Sequence, residues 1–173
     1  MTFSMRAVIR ACVAPDHQLS CSGRLWRAGL QELAQRGEGK RESGAFLLGE
    51  RRGSRRRIRR FVCYDDLDSR CLETGIVVFD GAGYGPLWQL CRETGLDVVA
   101  DVHTHPGLAQ QSDADRRHPM VATAGHIAII VPWFAERLVT PTDLGVYEYR
   151  GQHSWTDHSG QDARRFFYIG IWG

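Results

Sequence analysis

The sequence predicts an α+β fold in which a mixed central β-sheet is flanked by helices. Short segments rich in β-branched residues alternate with stretches whose apolar residues recur at helical spacing. Pairs of strands joined by short turns, notably late in the chain, favour an α+β fold over a strictly alternating α/β fold. The 173 residues contain no internal repeat and no linker-like stretch, so we expect a single domain covering residues 1–173.

The first half of the chain is predicted to contain one helix and several strands. In chain order these are a strand over residues 7–13, a helix over 22–35, hairpin strands over 45–49 and 58–64, and a strand over 76–79. The helix is indicated by Leu25, Trp26, Leu30 and Leu33, which share one helical face, and Gly37 is expected to end it. The hairpin turn near residue 53 is rich in arginine.

The second half is predicted to alternate helices and strands before a final hairpin. Its elements are a flexible glycine-rich entry over 81–85 into an amphipathic helix, a strand over 98–103, a helix from Ser112 to near Gly125, a strand over 126–131, a hairpin over 146–150 and 153–155, and a strand over 166–172. A mixed sheet can be assembled from these strands with the helices covering it.

Composition excludes several functional classes. The 22 basic and 20 acidic residues give a net charge of only +2, so the chain is no polycation, although every basic residue except Lys40 is arginine. The N-terminal region lacks an uninterrupted apolar run, and no stretch is long enough to cross a membrane. Five cysteines without CxxC spacing indicate reduced thiols. We therefore expect a cytoplasmic protein with no membrane or nucleic-acid partner.

The sequence VADVHTHPGLAQQSDAD carries the sharpest chemical signal. His103 and His105 are two residues apart at the end of a predicted strand, so their side chains point to the same face, about 6–7 Å apart along the backbone. Asp115 follows ten residues later and could supply a carboxylate ligand. Two histidines and one carboxylate, with a fourth position left for water, are the composition of a catalytic zinc site.

Such a site needs a general base, and Glu42 is the candidate because it directly precedes a buried strand, where a carboxylate is costly unless it faces a polar partner. Each element also has a simpler interpretation. A lone HxH pair occurs in many proteins that bind no metal. Ser112 and Asp115 fit a helix N-terminus with a capping serine and an acid in the first turn. Glu42 could be a solvated loop acid.

Taken together, the elements resemble the JAMM motif of the JAB/MPN metalloproteases. That motif consists of an upstream glutamate, HxH, a short loop and SxxD. Here it reads Glu42 followed by GAFLLG over residues 44–49, then HTHPG over 103–107 and SDAD over 112–115. The loop between His105 and Ser112 has six residues, one fewer than the commonest form of the motif. The resemblance covers most of the chain and implies a JAB/MPN domain, which is cytidine-deaminase-like.

The resemblance also implies a role for each matching residue. His103, His105 and Asp115 would bind one Zn²⁺ ion, Glu42 would act as the catalytic acid and base, and Ser112 would stabilise the oxyanion. The family cleaves peptide or isopeptide bonds after the C-terminal glycine of ubiquitin or ubiquitin-like proteins. The small size and arginine bias point to a bacterial member that acts on a ubiquitin-like tail, with E1-like and E2-like enzymes of an antiphage conjugation operon as further partners.

Three functional hypotheses stay open from the sequence. The first is the deconjugating or maturing isopeptidase just described. The second is a JAMM peptidase that acts on a sulfur-carrier-like protein in biosynthesis, and the third is a non-catalytic MPN scaffold. A separate question concerns residues 51–60, which hold seven arginines and could bind an acidic partner or simply form a solvated hairpin.

Overall fold

The computed structural model describes residues 17–79, 81–171 and 173. Its strands, in chain order, are β1 (Leu19–Ser22), β2 (Gly44–Arg52), β3 (Arg55–Cys63), β4 (Asp97–Thr104), β5 (Ile127–Val131), β6 (Gly145–Gly151), β7 (Ser154–Asp157) and β8 (Phe167–Gly170). Its helices are α1 (Gly23–Gly37), α2 (Tyr64–Leu67), α3 (Gly81–Thr94), α4 (Asp113–Arg117) and α5 (Ala163–Phe166), with 3₁₀ turns at Trp133–Ala135 and Pro141–Asp143.

The strands form one mixed sheet in the order β7-β6-β5-β4-β2-β3-β1-β8. Near its middle, β4 pairs antiparallel with β2 on one side and parallel with β5 on the other. The parallel pair is connected through α4, so the carboxyl end of β4 opens towards the loop that carries this helix. Side chains at the carboxyl ends of strands are well placed to bind ligands. The mixed α+β prediction is confirmed.

Two apolar clusters hold the helices against the sheet. One includes Trp26 and Leu33 of α1 together with Ile129 of β5 and Phe167 of β8. The other surrounds α3 and includes the buried side chains of Phe46, Leu48, Tyr64 and Leu87. Every residue of β5 is buried, which explains why this strand is a continuous apolar run in the sequence.

Several predicted elements are confirmed. Helix α1 begins after Ser22, whose hydroxyl accepts a hydrogen bond from the Leu25 amide, and it ends where Glu38 adopts the left-handed conformation. The early hairpin exists but is longer than predicted, and the late hairpin turns at residues 152 and 153. The strands predicted over 98–103 and 126–131 correspond to β4 and β5.

Other predictions are wrong. Residues 76–79 form no strand, because the Val77 and Val78 amides donate to the Glu42 carboxylate and the Cys71 carbonyl instead of to a neighbouring strand. The helix from Ser112 stops at Arg117, because Pro119 disfavours helical geometry in the residue before it. Of the strand predicted over 166–172, residues 167–170 form β8, which follows the unpredicted helix α5, and residue 172 lies outside the described residues.

The glycine-rich entry over residues 81–85 is also helical rather than flexible, since α3 begins at Gly81. A β-carbon at Gly83 would lie 2.2 Å from the Phe79 ring, so the absent side chain lets the helix approach this aromatic residue. Phe79 in turn packs edge-on against Phe46 and Tyr84, with ring centroids about 5 Å apart. This packing compensates for the poor helix propensity of the glycines.

The remaining findings concern the N-terminal region, the cysteines and membrane-spanning helices. The strand predicted over residues 7–13 lies outside the described residues. Residues 19–22, where the sequence analysis predicts no strand, form β1 between β3 and β8. Cys21, Cys63, Cys71 and Cys91 are free thiols, the first three of them buried. Among the described residues, no helix has the length and apolar character needed to cross a membrane.

Candidate metal centre

The carboxyl end of β4 fixes the two histidines of the HTH sequence. His103 lies in the strand, and His105 follows its last residue. Thr104, between them, is tied to the neighbouring segment, because its amide donates to the Ser43 carbonyl and its hydroxyl accepts from the Ser43 amide. The His105 amide donates to the Val131 carbonyl at 2.9 Å. These backbone contacts hold both imidazoles on the same side of the strand end.

Helix α4 brings the third predicted ligand to this point. Ser112 caps the helix, and its amide and hydroxyl both donate to Asp115 Oδ2, at 2.7 and 2.8 Å. The Asp115 amide donates back to Ser112 Oγ at 3.1 Å, which completes a capping box. The capping interpretation of this segment is therefore confirmed. The same contacts hold the Asp115 carboxylate in place with Oδ1 directed at His103.

The three side chains converge on one point. The two imidazole Nε2 atoms are 3.1 Å apart, His103 Nε2 lies 3.3 Å from Asp115 Oδ1, and His105 Nε2 lies 3.3 Å from Asp115 Oδ2. A tetrahedral zinc ion with bonds of about 2.0–2.1 Å requires its ligand atoms to be about 3.3–3.4 Å apart. His103, His105 and Asp115 thus fit a divalent metal ion in both donor type and spacing.

Electrostatics in the cluster favour a bound cation. Burial alone would lower the pKa of His103, but the carboxylates of Asp101 and Asp115 outweigh it and raise that pKa to about 10. Burial likewise opposes ionisation of Asp115, yet the two imidazoles hold the pKa of this carboxyl well below its usual value. In the absence of a metal, a proton is therefore retained between these groups, and a metal ion must displace it.

Glu42 lies beside the three ligand atoms. Its Oε1 is 3.9 Å from His105 Nε2, and its Oε2 accepts a hydrogen bond of 3.4 Å from the Val77 amide. The Glu42 amide donates to the Gly75 carbonyl, which anchors the residue just before β2. The side chain is only 16% exposed, so the solvated-loop interpretation is not supported. Four of the five predicted site residues therefore place their side chains around one small space. The fifth, Ser112, contacts it indirectly through its hydrogen bonds to Asp115.

The shortened loop between His105 and Ser112 follows a well-anchored path. The Gly107 carbonyl accepts from the Trp133 amide at 3.0 Å, and the Ala109 carbonyl accepts from the Tyr147 hydroxyl at 3.2 Å. A β-carbon at Gly145 would lie 2.0 Å from the Ala109 carbonyl oxygen, so only glycine allows this approach. One residue fewer in the loop is compatible with the ligand arrangement.

A strained turn lies next to His105. Trp133, Phe134 and Ala135, which follow Pro132, all have positive φ angles of 51–59°. Left-handed geometry is unfavourable for residues with a side chain. The turn is nevertheless held, because the Phe134 amide donates to the His105 carbonyl at 2.8 Å.

Sequence reasoning missed a buried polar group behind His103. Asp101 is 1% exposed, and its carboxylate accepts hydrogen bonds from the Tyr64 hydroxyl at 3.2 Å and from His126 Nε2. Burial opposes its ionisation, but the neighbouring imidazoles of His103 and His126 hold the pKa of Asp101 below its usual value. The available signal was an acid two residues before His103 in a strand, hence on the same face. His126 is also buried.

The arginine-rich hairpin, defined as residues 51–60, uses several of its side chains internally. Arg56 donates to the carbonyls of Val99 and Gly125, at 3.3 and 2.6 Å. Arg51 donates to the Val98 carbonyl and Arg57 to the Gly173 carbonyl. Arg59 pairs with Glu50, while Arg52 and Arg60 are exposed. Binding of an acidic partner by this hairpin stays a prediction.

In sequence, the chain is partly similar to a curated protein. Over 63 residues the chain is 29% identical to a Sinorhizobium fredii protein named "Probable metalloprotease y4jG". The aligned segment covers 36% of this chain and 39% of that protein, so the chain spans about two fifths of the curated relative that it matches. No protein-family model matches the chain.

Solved structures share the fold at low sequence identity. A solution structure of a protein from Desulfitobacterium hafniense matches with a TM-score of 0.62 and 14% identity, covering 87% of this chain and 92% of that chain. A protein from Salinibacter ruber matches with a TM-score of 0.56 and 19% identity, covering 82% and 89% of the two chains. These similarities concern the fold alone.

Proposed function

We propose that this chain is a zinc metalloprotease of the JAMM type, in a JAB/MPN domain, that cleaves after the C-terminal glycine of a ubiquitin-like protein. The observation that carries the proposal is the convergence of His103, His105 and Asp115 at 3.1–3.3 Å with Glu42 beside them. The partial similarity to a protein named as a metalloprotease supports the same chemistry.

His103, His105 and Asp115 would hold the zinc ion. When bound, zinc supplies a Lewis acid and lowers the pKa of a coordinated water towards neutrality. Three protein ligands leave a fourth position for water or substrate, which distinguishes a catalytic zinc site from a structural one.

Glu42 would act as general base and then as general acid. Its carboxylate removes a proton from the attacking water as the new C–O bond forms at the scissile carbonyl. The same proton then passes to the leaving amine nitrogen as the C–N bond breaks, while the second proton of the water stays on the new carboxyl group. The products are a carboxylic acid and an amine, which at neutral pH become a carboxylate and an ammonium group. The hydrogen bond from the Val77 amide restrains this side chain and supports the assignment.

Ser112 would stabilise the oxyanion that develops on the carbonyl oxygen. Its hydroxyl is at the exposed side of the site and donates to Asp115 in the substrate-free protein. In the proposed reaction it turns this hydrogen bond towards the substrate oxygen, where a donor is most valuable in the transition state.

The substrate and pathway follow from the resemblance to JAB/MPN proteases. We propose that the substrate is the extended tail of a bacterial ubiquitin-like protein or its conjugate, within a conjugation pathway that includes E1-like and E2-like enzymes and serves antiphage defence. A peptidase that trims a sulfur-carrier-like protein is distinguished from this reading by the substrate that is cut.

The proposal is tested with zinc-loaded protein and a bacterial ubiquitin-like protein fused through its C-terminal glycine to a reporter. We expect cleavage directly after the glycine and a 10²–10⁴-fold loss, the order typical of general-base removal, in Glu42→Gln. Zinc content should be unchanged in this variant, because Glu42 is not among the three ligands. Cleavage is followed by mass spectrometry of the products.

Glu73→Gln is the matched control, since Glu73 is an exposed glutamate in the segment that precedes α3. It should cleave at the wild-type rate. Trimming of an extended sulfur-carrier-like protein in place of the fusion would show that the substrate assignment is wrong. A zinc-loaded wild type that cuts neither substrate would overturn the protease proposal.

A further inference from the structure

His103 Nδ1 and the buried Asp101 carboxylate behind it face each other, and each can make one more hydrogen bond. His103 Nδ1 is buried and has no hydrogen-bond partner within the described part of the chain. Asp101 Oδ2 is the carboxylate oxygen facing it, at 4.0 Å. This oxygen already accepts from the Tyr64 hydroxyl but, like any carboxylate oxygen, has a second acceptor position.

An isolated carboxylate at this depth would be strongly unfavourable. Asp101 is stabilised by two donors, one from His126 at the start of the β5 segment and one from Tyr64 at the start of α2. The Tyr64 ring reaches it only because residue 44 is glycine, where a β-carbon would lie 2.3 Å from that ring. Three separate segments of the fold thus converge to hold one negative charge directly behind a proposed metal ligand.

We propose that Asp101 is a positioning residue that accepts the Nδ1 proton of His103 and thereby directs Nε2 of this ring to the metal. The inference rests on the proposed function, since it requires His103 to be a ligand. The strand geometry supports it, because residues 101 and 103 lie on the same face of β4. A side-chain rotation that closed the 4.0 Å separation by about 1 Å would bring the two atoms within hydrogen-bond distance.

The arrangement has a clear chemical consequence. A neutral imidazole carries one proton, so a hydrogen bond from Nδ1 to a carboxylate leaves the Nε2 lone pair free for a metal. The carboxylate also makes the imidazole a better donor, and outer partners of this kind are typically worth 10–100-fold in metal affinity. The carboxylates that face His105 Nε2 belong to Glu42 and Asp115, which lie at the metal position itself, so the effect of Asp101 concerns His103.

The test compares Co²⁺ binding by wild type, Asp101→Asn and Tyr64→Phe, using the visible absorption of the bound ion. We expect one Co²⁺ per wild-type chain, a 10–100-fold weaker affinity and an altered spectrum at saturation in Asp101→Asn. Tyr64→Phe is the matched control, because it removes one donor from the same buried group but keeps the carboxylate, and it should weaken binding by less than about threefold.

A second measurement does not depend on the variants being folded. In zinc-loaded wild type, nitrogen-15 NMR of His103 should show a protonated Nδ1 and a metal-bound Nε2. The opposite assignment would overturn the inference, as would wild-type affinity and spectrum in folded Asp101→Asn. Failure of wild type to bind Co²⁺ or Zn²⁺ would instead contradict the proposed function itself, so the two failures are distinguishable.

Discussion

The carboxyl end of β4 and the arginine-rich hairpin are both densely charged, but they use their charges in opposite ways. At the β4 end, the ligand atoms of His103, His105 and Asp115 face one another across 3.1–3.3 Å. In the hairpin, Arg51 and Arg56 donate to main-chain carbonyls of the protein itself. The former arrangement has capacity for a cation, whereas the latter is largely satisfied internally.

The comparison shows that charge density in a sequence does not by itself tell how the charged side chains are used in the fold. Seven arginines in ten residues are a more conspicuous pattern than HTH, yet Arg56 and Arg57 serve to link β3 to neighbouring segments. Convergence of imidazole and carboxylate ligand atoms on one point is the more informative feature, because these are the ligand types and spacings that a divalent metal ion requires.

The largest effect on stability is expected from removing an internally used arginine. Arg56→Ala leaves the carbonyls of Val99 and Gly125 without this donor, and we expect the free energy of unfolding to fall by about 2–3 kcal/mol. Arg52→Ala, at an exposed position in the same hairpin, should change it by less than about 0.5 kcal/mol. Urea denaturation measures both. Equal effects in the two variants would remove the distinction between internal and exposed arginines.

A smaller effect is expected from each unit of pH change. It should alter the β4 end, where His103 titrates, and leave the arginine-rich hairpin unchanged. Because the pKa of His103 is raised from 6.5 to about 10 in the metal-free protein, the stability it contributes is fully present below pH 6.5 and is lost as pH rises towards 10. Metal binding requires the opposite state, so apparent zinc affinity should increase by about tenfold per pH unit between pH 7 and 9.

Competition titrations with a chelator at several pH values measure this slope. Arg52→Ala provides the control, because guanidinium groups stay protonated over this range and should leave the slope unchanged. A zinc affinity that is constant between pH 7 and 9 would show that no proton is displaced from the site.

Local patterns predicted the parts of the site that depend on local geometry. The positions of His103 and His105 follow from the two-residue period of a strand, and Ser112 with Asp115 follows from helix capping. Glu42 was a candidate base because it precedes a buried strand, but its association with His103, 61 positions later, came from the resemblance to a motif, since no local rule links residues so far apart. The anchored path of the shortened loop depends on Tyr147 and Gly145, which come from a later strand.

The features that the sequence analysis missed depend on contacts between residues that are distant in the chain. Residues 76–79 have the composition of a strand, but no strand forms. Two of their amides donate instead to the Glu42 carboxylate and the Cys71 carbonyl. The role of Asp101 is visible only once Tyr64 and His126 are seen to converge on it from other segments. Burial of an acid cannot be read from composition when its partners are distant in the chain.

The central claim is that His103, His105 and Asp115 hold one metal ion, and native mass spectrometry of the zinc-exposed protein tests it most directly. Asp115→Asn removes one of the three ligands. Asp113→Asn is the control, because Asp113 is an exposed carboxylate in the same helix. We predict one zinc per chain in wild type and Asp113→Asn, and an affinity more than about 100-fold weaker in Asp115→Asn. A wild type without zinc, or equal zinc binding in all three proteins, would contradict the account.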